Sequence, residues 1–426
     1  MKTIFQIAVS LILYIGGNQM VAQETESQTI KCVIKGQVVN RESKTLILVQ
    51  ATESPTYSGF KIPIVNGRFE YTLYTPFIEK YFLIFEDEVI NKSWRVTPFF
   101  PDTDTISFIL HNEKDASKNT VFGGELNNRL EIFQEQEKNR FLDPLMNPIV
   151  VSINSLYEND KYYTEEYKNI YKLKEKTKDS TELLNLNKEQ LRLVKSGGYR
   201  TKESINLEAK SDSVLRLICK WENEYIMSHV DIFSYSLLIS NLQQYSYRSN
   251  IIDIGFIKLI FPTFQKKYPL HPYTVKMQGI FDKMNTIKVG NPYIDFSAST
   301  VDGKIIKISD KIKGKVALID LWATWCGPCR AFSKSMIPIY EKYKEKGFTV
   351  VGVAREVKNA DAFLSVIAKD KYPWLNLIEI DDKNGIWKMY NIDWSAGSTY
   401  LIDSKGIIIA INATAEEVEK ILKEIL

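Results

Sequence analysis

The run WATWCGPCR occupies residues 322–330, at the end of a strand-like segment (residues 315–322) and at the start of a helix-like one. At such a turn, free backbone N–H groups and the positive end of the helix dipole favour an anion, so Cys326 is stabilised as a thiolate. Cys329 follows after one helical turn, within disulfide distance, and Pro328 has the fixed φ that suits a helix start. The pattern predicts a cysteine pair that opens and closes reversibly.

Strand-like and helix-like segments continue to alternate after this run. Residues 348–354 are apolar and suit a buried parallel strand, which gives a strand, helix, strand unit with the segment before the cysteines. The chain closes with an apparent hairpin around residues 403–406 and an amphipathic helix at residues 416–426. Residues 289–426, which begin with the linker Val-Gly-Asn-Pro, are therefore predicted to form an α/β domain.

Length and composition place limits on the rest of the chain. At roughly 150 residues per domain, 426 residues suggest about three domains. The 44% hydrophobic and 25% charged content excludes collagen-like, low-complexity and wholly disordered chains. Because 55 basic residues face 52 acidic ones, no general attraction to phosphates is expected, and nucleic acid is not an expected partner. The 4 Cys and 3 His argue against a disulfide-stapled scaffold and a histidine-built metal centre.

The first 22 residues have the pattern of a secretory signal. A positive start leads into an apolar stretch that is too short to span a membrane, and small residues precede Ala22. We expect cleavage near Ala22, a mature form without an integral membrane span, and a periplasmic location. The first cysteine, Cys32, lies away from the cleavage point, which disfavours a lipid anchor.

Two further domains are predicted between the signal and the α/β domain. Short alternating segments bounded by turn residues predict a small antiparallel β domain, sandwich-like, over residues 28–122. Residues 123–288 are rich in Lys, Glu, Tyr and Leu and predict an all-α helical domain. Within it, charged helical stretches at residues 161–178 and 181–195 predict an antiparallel hairpin.

The run WCGPC after a strand that contains Asp320 resembles thioredoxin. Together with the signal, β domain and helical domain, it resembles the TlpA/ResA-like thiol-disulfide oxidoreductases of Bacteroidetes. The resemblance implies a thioredoxin-like fold at the C-terminus, with Asp320 as a buried acid that helps proton transfer at Cys329. It also implies an active-site loop formed by Trp325, Gly327 and Pro328. No cofactor is implied, because electrons come from a redox partner protein.

The sequence departs from this family in the predicted substrate groove, which is assigned to Ala396, Gly397 and Ser398. Gly397 stands where the family places a cis-proline. A cis bond without proline costs about 2.5 to 4 kcal/mol, so a trans bond is expected between Ala396 and Gly397.

Three more positions near the cysteines differ from the family or remain open. Lys334 replaces a proline, and Phe332 replaces an acidic residue, which makes the surroundings of the sulfurs more apolar. Glu356 is either a solvated loop residue or an extra acidic group near the site.

Other readings of the cysteine pair are a structural zinc site, an inert bridge and a peroxiredoxin. Zinc needs about two more ligands, and Cys32 and Cys219 lie alone in other domains. A peroxiredoxin needs Pro and Thr where Ile319 and Ala323 stand. No metal is therefore expected. A non-catalytic binding or scaffold protein with a degenerate thioredoxin domain remains the alternative.

The predicted function is that of an exported thiol-disulfide oxidoreductase. Cys326, expected to be the more exposed sulfur, forms a mixed disulfide with substrate proteins that carry disulfides or thiols, and Cys329 resolves it. The β and helical domains are expected to serve recognition, with a homodimer as one option.

Overall fold

The computed structural model describes residues 29–91, 93–177, 179–245, 247–392 and 396–426. The predicted signal, residues 1–22, lies outside the described residues. Among the helices that are described, none combines the length and the apolar character needed to cross a membrane.

The N-terminal part consists of two four-stranded sheets that share one core. One sheet has the order β4-β1-β7-β8 and the other the order β3-β2-β5-β6. Alternate residues of the strands, among them Ile34, Leu48 and Phe108, point into the common core, which gives a sandwich. The strands are β1 (Ile30–Val39), β2 (Thr45–Gln50), β3 (Phe60–Pro63), β4 (Arg68–Thr75), β5 (Tyr81–Phe85), β6 (Thr97–Phe99), β7 (Thr105–His111) and β8 (Thr120–Phe122). Two short helices, α1 (Pro55–Ser58) and α2 (Glu86–Asn91), and a 3-10 turn at Glu113–Lys118 connect them.

The prediction of a purely antiparallel β domain is wrong at one pair of strands. β1 and β7 run parallel, with Ile34 opposite Ile106. The chain alternates between the two sheets: it returns antiparallel to β1 as β4, adds β5 and β6 to the second sheet, and then returns as β7 beside β1 in the same direction. Alternation of apolar and polar residues fixes which face of a strand is buried but carries no information on strand direction.

The middle of the chain is helical, as predicted. Its helices are α3 (Glu125–Glu137), α4 (Asn147–Glu158), α5 (Glu165–Lys176), α6 (Ser180–Ser196), α7 (Lys202–Ser228), α8 (Ile232–Gln244), α9 (Ile254–Lys267) and α10 (Pro272–Thr286), with a π-helical stretch at Lys138–Met146 between α3 and α4. α5 and α6 pack on each other as the predicted hairpin. α6 ends at Gly197 in the left-handed conformation, where glycine is favoured.

The C-terminal part is a seven-stranded mixed sheet with helices on both faces and has a thioredoxin-like fold. The sheet order is β10-β9-β13-β12-β11-β14-β15. β11, β12 and β13 are parallel, and β14 and β15 form the predicted antiparallel hairpin. The strands are β9 (Ser297–Ser299), β10 (Ile305–Lys307), β11 (Val316–Trp322), β12 (Phe348–Glu356), β13 (Leu375–Ile380), β14 (Ser398–Ile402) and β15 (Ile408–Ile411). The helices are α11 (Ser309–Ile312), α12 (Gly327–Tyr343), α13 (Asp361–Asp370), α14 (Ile386–Met389) and α15 (Ala415–Ile425), with a 3-10 turn at Lys344–Lys346.

The position of β11 sets the place of the cysteines. All seven residues of β11 are buried, because the strand lies inside the sheet and both of its faces are covered. The chain leaves its carboxyl end and enters α12 within four residues. This edge is where ligand and catalytic sites of open α/β sheets form.

Candidate active site

The cysteine pair lies at the start of α12. Cys326 and Cys329 form a disulfide. Cys326 is the N-cap of α12, and its Sγ accepts a hydrogen bond from the backbone N–H of Cys329 at 3.2 Å. Pro328 lies in the first turn, where its missing N–H needs no partner. An anion at this sulfur would therefore meet an N–H group and the positive end of the helix.

The two cysteines differ in exposure. Cys326 is 8% exposed as a whole residue, whereas Cys329 is half-buried. Cys326 turns its sulfur back onto the first turn of α12, and the larger exposure of the Cys326 sulfur stays a prediction. Its neighbour Trp325 is exposed.

A buried carboxyl lies beneath the start of α12. Asp320, on β11, is 2% exposed, and burial raises its pKa to about 7. The hydroxyl of Ser333 donates to Asp320 Oδ2 at 2.6 Å and lowers that pKa in part. Ser333 Oγ also lies 3.1 Å from the backbone oxygen of Cys329. The predicted acid and the backbone of the second cysteine are therefore linked through one serine.

A second buried carboxyl holds the loop before Cys326. Glu356, the last residue of β12, is 5% exposed, and its Oε1 accepts from the backbone N–H of Thr324 at 3.1 Å. Of the two readings of Glu356, the solvated loop residue is wrong. The backbone N–H of Thr324 is buried and needs an acceptor, and the Glu356 side chain supplies it.

An acidic side chain from α13 fastens the active-site helix. The side chain of Asp370 is inaccessible to solvent and accepts from Arg330 Nε at 2.8 Å and Nη2 at 3.1 Å. Lys334 Nζ lies 2.9 Å from Asp370 Oδ1, and the Tyr372 hydroxyl donates to Oδ2 at 3.0 Å. Burial opposes the charge of Asp370, but these donors outweigh burial and hold its pKa below the usual range. We call these four residues the Asp370 cluster.

The segment before β14 passes very close to the end of β11. The Ala396–Gly397 bond is trans, as expected without proline. A Cβ at Gly397 would lie 1.9 Å from the backbone oxygen of Leu321 and 2.9 Å from Trp322 Cα. Glycine is therefore required here by lack of space. Ser398 is buried, and its hydroxyl donates to Asn412 at 2.8 Å.

Comparison with known proteins places this site in a family. Residues 289–411 match the model of the AhpC/TSA family. The thiol-disulfide oxidoreductase ResA of Bacillus cereus is 31% identical over 154 residues, which cover 35% of this chain and 84% of that protein. The chain belongs to the ResA-like thiol-disulfide oxidoreductases. It is therefore an oxidoreductase of thiols and disulfides.

Two more known proteins are similar to part of this chain. The thioredoxin-like protein YneN of Bacillus subtilis is 33% identical over 137 residues, which cover 32% of this chain and 78% of that protein. Among solved structures, the thioredoxin domain of a thiol-disulfide oxidoreductase from Bacteroides vulgatus is 24% identical and covers 32% of this chain and 97% of that chain, with a TM-score of 0.30.

The oxidoreductase brings together most of the residues predicted as its site. The cysteine pair and its loop stand at the end of β11, and Asp320 lies below them. Ala396, Gly397 and Ser398, the predicted groove residues, lie beside the carboxyl end of β11, where Gly397 is close to Leu321.

The sequence did not single out Ser333 or Asp370. Ser333 lies four residues after Cys329, the spacing that puts two residues on one helix face, and this was the available signal. Asp370 is 40 residues from Arg330 in sequence and gave none.

The other two cysteines of the oxidoreductase are free and apart from the site. Cys32 is buried in the β sandwich and Cys219 is half-buried in the helical part. Burial, the largest cause, raises the pKa of each thiol to about 11. Neither is a thiolate at neutral pH, so neither thiol is reactive there. In the part of the chain that is described, no three His, Cys, Asp or Glu side chains gather as a metal site requires.

Proposed function

We propose that the chain is an exported thiol-disulfide oxidoreductase in which Cys326 forms a mixed disulfide with a substrate protein and Cys329 resolves it. The observation that carries this proposal is the N-cap position of Cys326, whose sulfur receives the backbone N–H of Cys329. Solvent accessibility does not identify Cys326 as the attacking sulfur. The N-terminus of α12 favours Cys326 for this role, because it stabilises a thiolate there.

The proposed cycle balances in two steps. The Cys326 thiolate attacks a substrate disulfide, a new S–S bond forms, and one substrate sulfur leaves as a thiolate. Cys329 then gives its proton to the carboxylate of Asp320, and its thiolate attacks Cys326 Sγ. The second substrate sulfur leaves, and two electrons have passed from the enzyme to the substrate. The Cys326–Cys329 disulfide is reduced again by a redox partner protein.

The burial of Asp320 supports its role as proton acceptor. A carboxyl with a pKa of about 7 holds or releases a proton near neutral pH, whereas an ordinary exposed carboxyl is ionised there and is a weaker base. The role is supported by the place of Asp320 beneath the start of α12, where Ser333 contacts both the Asp320 carboxyl and the backbone oxygen of Cys329.

The remaining parts of the chain are assigned by the same proposal. Residues 289–426 form the redox domain, and residues 28–122 and 123–288 form recognition or dimerisation domains. Residues 1–22 direct export to the periplasm and are then cleaved near Ala22, and N-terminal sequencing of the mature protein tests this step.

The experiment that tests the mechanism compares two serine variants in the native compartment. Cys329→Ser leaves the first step intact and removes the resolving sulfur, so it should accumulate mixed disulfides that are visible on non-reducing gels. Cys326→Ser, the matched control, should accumulate none. If Cys326→Ser traps substrates and Cys329→Ser does not, the assigned roles are reversed. If neither traps and the pair does not cycle in thiol buffers, the scaffold alternative replaces the proposal.

The reduction potential of the pair gives the direction of electron flow. A value well below about −200 mV marks a reductase, and a value near −120 mV marks a disulfide-forming oxidant. Equilibration of the mature protein against dithiothreitol or glutathione buffers, with thiol labelling as the readout, measures it.

A further inference from the structure

Ser333 occupies the space between the buried carboxyl and the second cysteine. Its Oγ is 2.6 Å from Asp320 Oδ2 and 3.1 Å from the backbone oxygen of Cys329. Ser333 is 1% exposed and Asp320 is 2% exposed, so bulk water does not compete for these bonds. A hydroxyl has one hydrogen and can donate fully to one acceptor at a time. The two acceptors therefore compete for the same hydrogen.

We propose that Ser333 is a positioning residue whose hydroxyl sets the protonation state of Asp320, and thereby the pH range in which Cys329 resolves mixed disulfides. The inference rests on the proposed function, because it deepens the role assigned there to Asp320. When Asp320 is a carboxylate, Ser333 donates to it. When Asp320 has taken the proton of Cys329, the carboxylic acid donates to Ser333 Oγ, and the hydroxyl hydrogen turns to the Cys329 oxygen.

This exchange satisfies both protonation states without moving a heavy atom. A buried carboxylate without a donor, or a buried carboxylic acid without an acceptor, is strongly disfavoured. Ser333 acts as acceptor or donor as needed, because a hydroxyl does both. The direction of the pKa shift agrees with this geometry, since burial raises the pKa of Asp320 and the Ser333 hydroxyl lowers it in part.

The other groups around Asp320 leave Ser333 as the adjustable partner. Across the sheet, Asp320 is opposite Gly352 on β12 and Thr399 on β14, neither of which titrates. α13 and α15 cover this face with apolar side chains, apart from Asp370 at the end of α13, which is paired with Arg330 and Lys334 of α12.

Two more titratable side chains lie on the elements that adjoin β11. Tyr372, which follows α13, has a raised pKa, chiefly through burial and also through Asp370 and Asp320, and its hydroxyl donates to Asp370. Glu356, four residues beyond Gly352 on β12, accepts from Thr324. Both are therefore held by other partners.

The test replaces Ser333 by Ala in the full-length mature protein and follows two quantities. The first is the titration of the Asp320 carboxyl, read by carbon-13 NMR of the oxidised protein, with Asp320→Asn to identify the resonance. The second is the pH dependence of resolution. Reduced protein is mixed with glutathione disulfide and quenched in acid, and the decay of the glutathionylated intermediate is measured by mass spectrometry.

We expect Ser333→Ala to raise the midpoint of both curves by about one pH unit, the value of one charged hydrogen bond. At pH 7 resolution slows about five-fold, and at high pH it returns to the wild-type rate. Ser333→Thr keeps the hydroxyl and should titrate as wild type. Ser335→Ala is the matched control on the same helix, because its hydroxyl donates to the Phe332 backbone oxygen.

Any of three results would overturn the inference. In the first, Ser333→Ala would leave the midpoints of the titration and of the rate profile unchanged; in the second, Ser333→Thr would shift them as far as Ser333→Ala does. In the third, Ser333→Ala combined with Asp320→Asn would shift the rate profile beyond that of Asp320→Asn alone. The last result would mean that Ser333 acts by a route other than Asp320. Failure of the proposed function has a different signature, since no variant would then form the glutathionylated intermediate. The NMR titration would still decide the role of Ser333.

Discussion

Asp370→Asn should loosen the start of the active-site helix. Asp370 accepts two hydrogen bonds from Arg330, which directly follows the second cysteine, and pairs with Lys334 one turn later. Asparagine keeps the size of the side chain but removes the charge and offers one acceptor oxygen. The donors of Arg330, Lys334 and Tyr372 then compete for that oxygen, and an amide N–H group faces cations.

The size of the stability loss in Asp370→Asn follows from how deeply each member of the Asp370 cluster is buried. The side chain of Asp370 is fully inaccessible, whereas those of Arg330 and Lys334 are 24% and 32% exposed and can regain water. Removal of one member of a buried pair costs about 3 to 5 kcal/mol, and the partial exposure of the partners favours the lower end. For a domain of this size, about 3 kcal/mol lowers the Tm by roughly 10 °C.

The stability lost in Asp370→Asn should depend on pH in a definite direction. The pKa of Asp370 is lowered in the folded protein, so its stabilisation is present above the pKa of the unfolded chain and is lost as the pH falls through the folded pKa. The deficit of Asp370→Asn should be full at pH 7 and shrink below about pH 4.

Calorimetry of the oxidised wild type and of Asp370→Asn, at pH 7 and below about pH 4, measures this difference in Tm. Asp361→Asn is the matched control, because Asp361 lies on the same helix, is exposed, and stands in its first turn. It should cost less than about 1 kcal/mol, the value of a helix-dipole contact. If the two variants unfold at the same temperature at pH 7, the Asp370 cluster does not stabilise the helix as argued.

Two further predictions concern the surroundings of the cysteines. Gly397→Ala should lower the free energy of unfolding by about 3 kcal/mol, because its Cβ would lie 1.9 Å from the Leu321 oxygen. Gly279→Ala is the control, since its Cβ would meet nothing within 4 Å and should cost little. Equal Tm values for the two variants would contradict this prediction. Asp320→Asn should raise the Tm at pH 8.5 and leave it nearly unchanged at pH 4. Burial raises the folded pKa of Asp320 from 3.8 to about 7, so the wild type loses up to roughly 4 kcal/mol as the pH rises through that interval. A Tm gain of the same size at both pH values would mean that ionisation is not the cause.

The strands and helices around the cysteines could be predicted because each has a local signal. The apolar runs of β11 and β12 identified central strands, and the predicted helix at residues 416–426 matches α15, Ala415–Ile425, within one residue at each end. The N-cap position of Cys326 followed from the turn between strand and helix.

Contacts between segments that are distant in sequence had no such signal. The parallel pairing of β1 with β7 depends on how the chain returns after a whole sheet, and Asp370 meets Arg330 only because α13 packs beside α12. Glu356 had an acidic character that suited either a solvated loop or a site, and burial at the end of β12 decided between them. Periodicity reports which face of an element is buried, not which element covers it.

The Asp370 cluster also connects the redox domain to the helical part of the chain. α6 of the hairpin packs against α12, and Lys174 of α5 stands near Lys334, so that burial and then this like charge lower the pKa of Lys174. Asp370 pairs with both Arg330 and Lys334, so it weakens the positive charge of α12 at this contact without cancelling it. Without Asp370, both cations of α12 would lack their carboxylate, and the repulsion between Lys334 and Lys174 would grow. The same carboxylate that holds the start of α12 therefore also lessens charge repulsion between this helix and the helical hairpin.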